Sequence, residues 1–446
     1  MAKIINFKML KSKKNKKYIV ALNFIIYSII LFFTFQINSL SQNRQPILLK
    51  NADSLVGITL ENSQVRNFIG NVIFEQGNII LTCDTAIQYI DQNRVQLIGR
   101  VNIKQDLTLI KSNRINYTGN NKIANAEDYV EIQDTANTLK AKTGTYNLDT
   151  KIAHFKQNVS IENDSILIFT DELVNNTSND ESFATGNVRV YGKKIRTATI
   201  CDTLVYKPKQ DFLLAYSNAG FFYIDSVKKN YDSTQKTHKV EFDTLSVFAN
   251  TIFGNQAKGQ EFYQFLDSVE IIKGLIKSKC NKADYFKTGD SILLTGEPVV
   301  WYDSLQLFSD SISVIFPGRN IKQIKLVNNS LVISTSDSLG LGRINQITGK
   351  DIDINFERDS IRAIISKNDA HSLYFITTDD GESGAQTSGA DTIKIYMQNN
   401  EVSDIVWRSA AFIDFYPDNI ITNPKDLFLP KFRKREDLPK RRNFPE

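Results

Sequence analysis

Hydrophobic and polar residues alternate in short segments that recur through the first half of the chain. Five of these segments are centred on Val72, Val101, Val130, Val159 and Val188, each 29 positions after the one before it. The residue two places after each valine is also apolar, whereas four of the five residues in between are polar. Alternation with a period of two predicts half-buried β-strands. The equal steps predict a stack of similar units.

A second apolar column keeps the same step. It consists of Leu81, Ile110, Leu139 and Ile168, followed two places later by Cys83, Ser112, Ala141 and Thr170. Nowhere does a long segment show the three-to-four-residue spacing of an amphipathic helix. We therefore expect an all-β protein in which short strands stack and share one apolar face.

The pattern continues less cleanly after Val188. Cys201 and Cys280 repeat the sequence context of Cys83, which predicts a second block of the same kind. We expect a regular repeat block over 42–225, a polar loop over 226–240, a less regular block over 241–416, and a proline-rich basic tail over 417–446 that is extended or disordered. The glycine-rich segment 381–389 is expected to be a flexible loop.

The N-terminus has the pattern of an export signal. Residues 1–17 carry seven lysines and no acid, the apolar run Ile19 to Phe35 follows, and Ser39 and Ser41 are small residues placed for cleavage before Gln42. We therefore expect 1–41 to be a signal peptide. The alternative is a retained membrane anchor, because about 17 apolar residues are close to the spanning length.

The net charge divides unevenly along the chain. The net charge is +5, but residues 1–17 contribute +7 and the last sixteen residues +4, so that the body between them is near −6. An acidic body with a basic tail does not have the pattern of a nucleic-acid-binding protein. We expect no nucleic-acid partner.

Residue types that carry chemistry are scattered. The three cysteines occupy one repeat position several units apart, too far for a disulfide, and we expect three free, buried thiols. The three histidines lie at 154, 238 and 371 without a metal-binding or nucleophile motif. Turn capping explains aspartates such as Asp84 and Asp202 better than acid–base catalysis does. We predict no catalytic site, no metal and no cofactor.

The segment Gly70-Asn-Val-Ile-Phe-Glu-Gln-Gly-Asn-Ile-Ile-Leu-Thr-Cys-Asp resembles the OstA-like, or organic-solvent-tolerance, family. The family pattern is a Gly-Asn-Val strand, a Gln-Gly turn, an apolar strand, and an Ala/Cys-Asp step that leads to a tyrosine. The resemblance is good over about 65–225 and weaker over 240–416. It implies antiparallel strands folded into an open, U-shaped β-jellyroll, or β-taco, of the periplasmic bridge (LptA-like) type.

The resemblance also implies a function. Such proteins hold the acyl chains of lipopolysaccharide inside the trough and carry the lipid through the periplasm to the outer membrane. The chain is then expected in the periplasm. The resemblance leaves open whether it also associates with the inner or the outer membrane. Its expected partners are lipopolysaccharide, and other proteins of this fold or further copies of itself joined head to tail at the sheet edges.

The implied lining is the inward face of the two apolar columns. It comprises Val72, Phe74, Leu81, Val101, Ile103, Ile110, Val130, Ile132, Leu139, Val159, Ile161 and Ile168. Two alternatives remain open: a non-catalytic exported β-solenoid scaffold or surface protein, in which these residues form a closed core, and a carbohydrate-active β-helix enzyme. An open, lipid-accessible interior distinguishes transport from a scaffold.

Overall fold

The computed structural model describes most of the chain after its first 44 residues. The described residues are 45–60, 63–194, 196–232, 237–255, 257, 259, 262–334, 342–358, 360–377, 383–398 and 401–442. The expected signal peptide, 1–41, lies outside them. Within them, no helix is long and apolar enough to cross a membrane.

The described residues form strands β1 to β28. The first fourteen are Leu48–Asn51, Ser54–Leu60, Ser63–Gln76, Ile79–Tyr89, Arg94–Gln105, Thr108–Thr118, Ile123–Ala126, Val130–Gln133, Thr138–Ala141, Thr143–Asn147, Ile152–Glu162, Ile166–Asn176, Glu181–Gly192 and Thr197–Lys207. The remaining fourteen are Phe212–Asp232, Thr237–Asn255, Phe262–Lys273, Ile276–Phe286, Ser291–Thr295, Val299–Tyr302, Leu305–Phe308, Ser311–Ile315, Gln323–Ser334, Asn345–Glu357, Ser360–Thr377, Ser383–Gln398, Glu401–Arg408 and Phe412–Pro417. Short 3₁₀ turns lie at Ile90–Gln92, Pro208–Gln210, Lys287–Gly289, Pro317–Arg319, Asp418–Ile420 and Pro424–Leu427.

All these strands belong to one sheet in which neighbouring strands run antiparallel. At the first edge, β1 and β2 both pair with β3. At the last edge, β27 and β28 both pair with β26. The predicted all-β fold of stacked antiparallel strands is therefore confirmed.

Most long strands bend sharply in the middle. In β3 the pairing with β4 skips from Ile69 to Val72, and the two residues between them, Gly70 and Asn71, have φ of +79° and +45°. The chain folds back at this point, because the rings of Phe68 and Phe74 on the same strand lie 5.4 Å apart, edge to face. Each bent strand thus contributes two arms that face each other.

The bend explains the glycine and aspartate of the repeated motif. A Cβ atom on Gly99 would lie 2.5 Å from Asp84 Oδ2 on the neighbouring strand, and the φ of Gly99 is +76°. Asp84 accepts hydrogen bonds from Arg100, with Nη2 at 2.6 Å from Oδ1. Beside it, Cys83 Sγ donates to the carbonyl of Thr85 at 3.1 Å. Glycine therefore leaves room for a carboxylate that holds the left-handed bend in place.

The same device recurs in the second half. Asp202 Oδ2 accepts hydrogen bonds from Ser217 Oγ at 2.6 Å and Asn218 Nδ2 at 2.8 Å, and both donors have positive φ. Asp310 likewise accepts from Asn329 Nδ2. These aspartates hold bends, as capping predicted.

The described parts of two segments expected to be loops are strands. In the polar segment, residues 226–232 belong to β15, which ends at Asp232, and residues 237–240 belong to β16, which begins at Thr237. Main-chain hydrogen bonds do not require apolar side chains, so a polar sequence can extend a hairpin beyond its neighbours. The segment from Ser383 to Gly389 lies in β26, where Cβ atoms on Gly384 and Gly389 would strike Phe415 and Phe412. Those glycines permit close strand packing rather than flexibility.

The C-terminal tail was expected to be extended or disordered, and its described part is extended but also packs on the sheet. Residues 428–442, which we call the strap, run back across the outside of the sheet. Phe432 packs on an outer cluster of Val299, Trp301, Phe308, Leu331 and Ile333. The composition of the tail does not indicate a core, because the apolar surface on which Phe432 packs belongs to strands about 99 to 133 residues earlier in the chain.

Candidate functional site

The two arms of the bent sheet enclose one continuous apolar interior. Arm 1 contains the strand segments on the Val72 side of the bends, and arm 2 contains those on the Phe68 side. One buried cluster joins both arms and runs from Ile47 to Ile393. We call the solvent-facing gap between the free ends of the arms the mouth.

All twelve residues of the predicted lining lie in arm 1 and point into this interior. Ten are at most 6% exposed, and only Ile132 and Ile161 are partly buried. All of them except Ile168 belong to, or pack against, the cluster that also contains Phe68, Leu97 and Phe155 of arm 2. In the first block the interior is therefore filled by the protein's own side chains.

Polar side chains join the two arms across the mouth of the first block. Tyr117 Oη of arm 2 donates to Gln76 Oε1 of arm 1 at 2.5 Å, and Gln76 Nε2 donates to the carbonyl of Gly119 at 2.8 Å. Further along, Lys151 Nζ donates to Gln105 Oε1 at 2.9 Å. Burial raises the pKa of Tyr117, so its hydroxyl stays protonated at neutral pH.

The chain before β1 also crosses the mouth at this end. The carbonyl of Gln45 accepts from Gln76 Nε2 at 2.6 Å and from Asn93 Nδ2 at 3.2 Å. The carbonyl of Ile47 accepts from Gln88 Nε2 at 3.0 Å, and the Ile47 side chain is buried in the interior. The mouth between the first strands is thus closed by side-chain hydrogen bonds and by the segment that precedes β1.

The mouth is different in the middle of the sheet, from about β13 to β22, which includes the last strands of the expected first block, so the contrast is with β1 to β12. There most inward residues near the free ends of the arms are only partly buried, although Tyr302 and Val314 are buried, and those nearest the bends remain buried. The partly buried set is Val190, Leu213, Phe221, Leu245, Tyr263, Ile276, Tyr285, Ile292, Leu305 and, just after β22, Phe316. This partly buried set, which we call the open mouth, leads directly into the buried interior.

Register and ring packing make one wall of the open mouth continuous. On arm 2, Leu213, Gly254 and Tyr263 are paired neighbours on successive strands, and Tyr263 then pairs with Tyr285 and Tyr285 with Ile292. The rings of Tyr263 and Tyr285 stack at 6.2 Å. A Cβ atom on Gly254 would touch the Tyr263 ring at 3.2 Å. The wall is therefore apolar, ordered and aromatic.

Sequence reasoning missed the open mouth. The predicted lining ended at Ile168, whereas the open mouth begins at Val190 and otherwise belongs to strands after Val188, where the register has slipped. One signal was present, since Tyr206 and Tyr285 follow the motifs at Cys201 and Cys280. In the first block the equivalent inward positions hold Gln88 and Tyr117, which take part in closing the mouth.

Cationic residues lie at the free ends of both arms beside the open mouth. The turn of arm 1 between β13 and β14 contains Lys193, Lys194 and Arg196, and the turn of arm 2 after β14 contains Lys207 and Lys209. The corresponding arm 1 turns of the first block carry asparagine and aspartate at 77–78, 106–107, 134–137 and 163–165 instead. These turns thus carry more cationic residues than the arm 1 turns of the first block, and Lys193, Lys207 and Lys209 pair with Glu162, Glu181 and Asp180.

The described residues contain no arrangement that suggests catalysis. Within them, no three His, Cys, Asp or Glu side chains gather to hold a metal ion. The three cysteines are free and buried, which confirms the prediction. Burial raises the pKa of Cys83 to about 11 and that of Cys201 to about 12, which keeps both as thiols.

Comparisons with known proteins agree with the sequence pattern over the first block. Residues 44–199 match the family model of the OstA-like proteins. A crystal structure of LptH, the LptA homologous periplasmic component of the lipopolysaccharide transport device of Pseudomonas aeruginosa, is 13% identical, with 32% of this chain and 95% of that chain covered and a TM-score of 0.25. No curated protein matches the chain. Residues 44–199 are therefore an OstA-like region, which confirms the resemblance seen in the sequence.

Proposed function

We propose that the protein is a non-catalytic carrier that binds lipopolysaccharide by its acyl chains and conveys it toward the outer membrane. The observation that carries the proposal is the open mouth, a partly buried apolar wall that leads into the interior of the sheet, whose residues 44–199 are OstA-like. Acyl chains laid along this wall would remove apolar surface from water, which stabilises a complex by about 25 cal/mol per Å².

The charges beside the open mouth suit a lipid with an anionic head group. Lys193, Lys194 and Lys209 lie at the free ends of the arms, within the same few strands as Leu213 and Tyr263. Lys193 and Lys209 are already paired with Glu162 and Asp180, at 2.7 and 2.9 Å. Phosphate groups would compete for these ammonium groups while the acyl chains enter between the arms. An anionic amphiphile satisfies both features.

The predicted lining of the first block is the second stage of the proposed path. Val101, Ile103 and Val130 are buried against arm 2, so lipid can reach them only when the arms separate. Such opening must break the Gln76–Tyr117 and Gln105–Lys151 bridges. We propose that lipid first occupies the open mouth and enters the first block only after those bridges break.

The two edges of the sheet are the proposed assembly surfaces. Leu48, Leu55 and Val56 are exposed at the first edge, and Phe412 and Ile413 are about half exposed at the last. Unpaired strand edges of this kind accept a strand from another chain. Head-to-tail contact with another copy or another protein of this fold would extend the trough. The proposed compartment is the periplasm, reached through the N-terminal export signal.

Site-specific photo-crosslinking in living cells tests the proposal. A photoreactive amino acid replaces Leu213, Tyr263 or Ile292 at the open mouth, and, as matched controls, Val205 or Gln264, which alternate with the inward residues and point outward. We expect lipopolysaccharide adducts at the three mouth positions and none at the two controls.

Other outcomes are equally informative. Adducts at inward and outward positions alike would mean adventitious lipid contact and would contradict the proposal. An exported, folded protein without adducts at any mouth position would favour the second candidate function, a closed structural solenoid. The filled interior and bridged mouth of the first block are the observations that support that candidate.

A further inference from the structure

The strap occupies a defined path across the outside of the sheet. Gln346 Oε1 accepts from the main-chain N–H of Leu429 at 3.0 Å. Gln306 then makes two main-chain bonds to Arg435, accepting from its N–H and donating to its carbonyl, both at 2.9 Å. Arg442 ends the path, with its guanidinium 3.9 Å from the centre of the Phe248 ring. The strap therefore runs from β24 back to β16.

Buried side chains and an ion pair also hold the strap on the sheet. Gln306 and Gln346 are only 5% and 3% exposed, so their bonds to the strap are shielded from water. Asp437 Oδ2 lies 3.1 Å from Lys279 Nζ on β18. Pro439 is buried. These contacts hold the strap's outward side chains in a fixed row.

The outward row of the strap is strongly positive. Residues 431–442 contain seven Lys or Arg and two acids. The acids Glu436 and Asp437 are paired with Lys434 and Arg435 inside the strap itself. Arg433, Lys440 and Arg441 are exposed and form no ion pair within the part of the chain that the structure describes, and Leu438 near them is 39% exposed. The Arg433 guanidinium lies 5.0 Å from the centre of the Phe308 ring.

The same outer face of the first block carries mixed charges. There Glu131 lies between Lys111 and Lys140, at 3.5 and 3.8 Å, so that positive and negative groups offset each other. The body of the chain as a whole is acidic. The fixed positive row is therefore a local feature of the strap.

We propose that the strap is a docking surface for an anionic lipid membrane, which it meets with Arg433, Lys440, Arg441 and the exposed Leu438. A row of cations beside an exposed apolar side chain is the combination that binds anionic bilayer surfaces. A nucleic acid is disfavoured, because the strap's rings are turned inward: Phe428 and Phe432 pack on each other at 4.3 Å and Phe432 packs on the outer cluster. Those rings are not available to stack on bases. The inference does not depend on the lipid-carrier proposal.

A fluorophore on the strap tests this docking directly. An environment-sensitive dye is attached to Leu438→Cys in the full-length protein, where the three native thiols are buried and do not compete for the label. Because the dye reports the strap itself, any membrane contact by the N-terminal apolar run does not produce the signal. We expect a blue shift with vesicles of phosphatidylglycerol and phosphatidylcholine in equal parts. We expect no shift with phosphatidylcholine alone or at high salt.

Charge variants identify the residues responsible. Replacing Arg433, Lys440 and Arg441 with Gln should weaken the apparent affinity by about five-fold for each charge, on the order of 100-fold together. The matched control replaces Lys104, Arg114 and Lys142 of the first block with Gln, which removes the same charge from exposed sites. The control should leave affinity within about two-fold of the native protein. Arg433→Lys and Arg441→Lys together should retain binding.

Three results would overturn the inference. The first is an equal loss of affinity in the strap and control variants, because that would reflect net charge alone. The second is a blue shift with phosphatidylcholine vesicles as large as with the anionic ones. The third is a larger, tighter response of the dye to a DNA duplex than to anionic vesicles, which would assign the row to nucleic acid instead.

Discussion

The first block and the middle of the sheet are built from the same bent strands but end differently at the mouth. In both, two consecutive residues with positive φ bend the strand, and an aspartate on the neighbouring strand accepts hydrogen bonds from the bend, as Asp84 and Asp202 do. In the first block, side chains such as Tyr117 join the arms and the interior is filled. In the middle, Leu213 and Tyr263 are only partly buried. The comparison teaches that bending the sheet makes the trough, whereas the residues at the free ends of the arms decide whether it is accessible.

The largest expected difference between the two regions is in stability. Phe74 is fully buried, so Phe74→Ala should reduce the free energy of unfolding by about 3–5 kcal/mol. Leu213 is only partly buried, and Leu213→Ala should cost about 1–2 kcal/mol. Urea unfolding followed by circular dichroism measures both. Equal losses would show that the open mouth is packed as tightly as the first block.

Removing one bridge should make the first block more like the middle. Tyr117→Phe deletes the hydroxyl that donates to Gln76 and leaves a buried amide oxygen without that donor, at a cost of about 1–2 kcal/mol. We expect a photoreactive residue at Ile103 to gain lipopolysaccharide adducts in this variant. Adduct formation at Leu213 should not change, and serves as the internal control. If Ile103 gains no adducts although stability falls, the bridge does not gate the first block.

The strap packs only on strands of the second half of the molecule. Its docking on the sheet should weaken at low pH. The Arg435 guanidinium holds the pKa of Asp437 well below its ordinary value of 3.8, and Lys279 lowers it further. A carboxyl group with a lowered pKa stabilises the docked strap above pH 4, and that contribution is lost progressively as the pH falls below this value. Hydrogen exchange of residues 428–442 should therefore accelerate at low pH after correction for the intrinsic rate. Asp437→Asn should show fast exchange already at neutral pH. Exchange that is unchanged by the substitution would show that Gln306 and the outer cluster hold the strap without this ion pair.

Local periodicity explains which features the sequence could predict. The period of two and the 29-residue step specify strands, a common inward face and the equivalent positions of Cys83, Cys201 and Cys280, because each depends only on near neighbours in the sequence. These predictions agree with the buried positions of Val72, Ile103 and Cys83.

Long-range contacts explain what the sequence could not show. Gln306 binds the main chain of Arg435 from 129 positions away, and nothing in the composition of the tail indicates that partner. The open mouth is equally hidden, since the accessibility of Tyr263 and Tyr285 depends on what the opposite arm places in front of them. From the sequence alone, a glycine such as Gly389 suggests flexibility. Its actual role, which is to leave room for the Phe412 ring, depends on a contact with another strand.

Hydrogen–deuterium exchange of the purified protein, with and without lipopolysaccharide, tests the central claim most directly. The claim is that lipid binds at the open mouth. We predict that lipopolysaccharide slows exchange in 212–223, 245–254 and 262–286, while 72–89 of the first block changes little. Slowed exchange confined to 72–89, with the middle strands unaffected, would contradict the claim and place the lipid site in the first block.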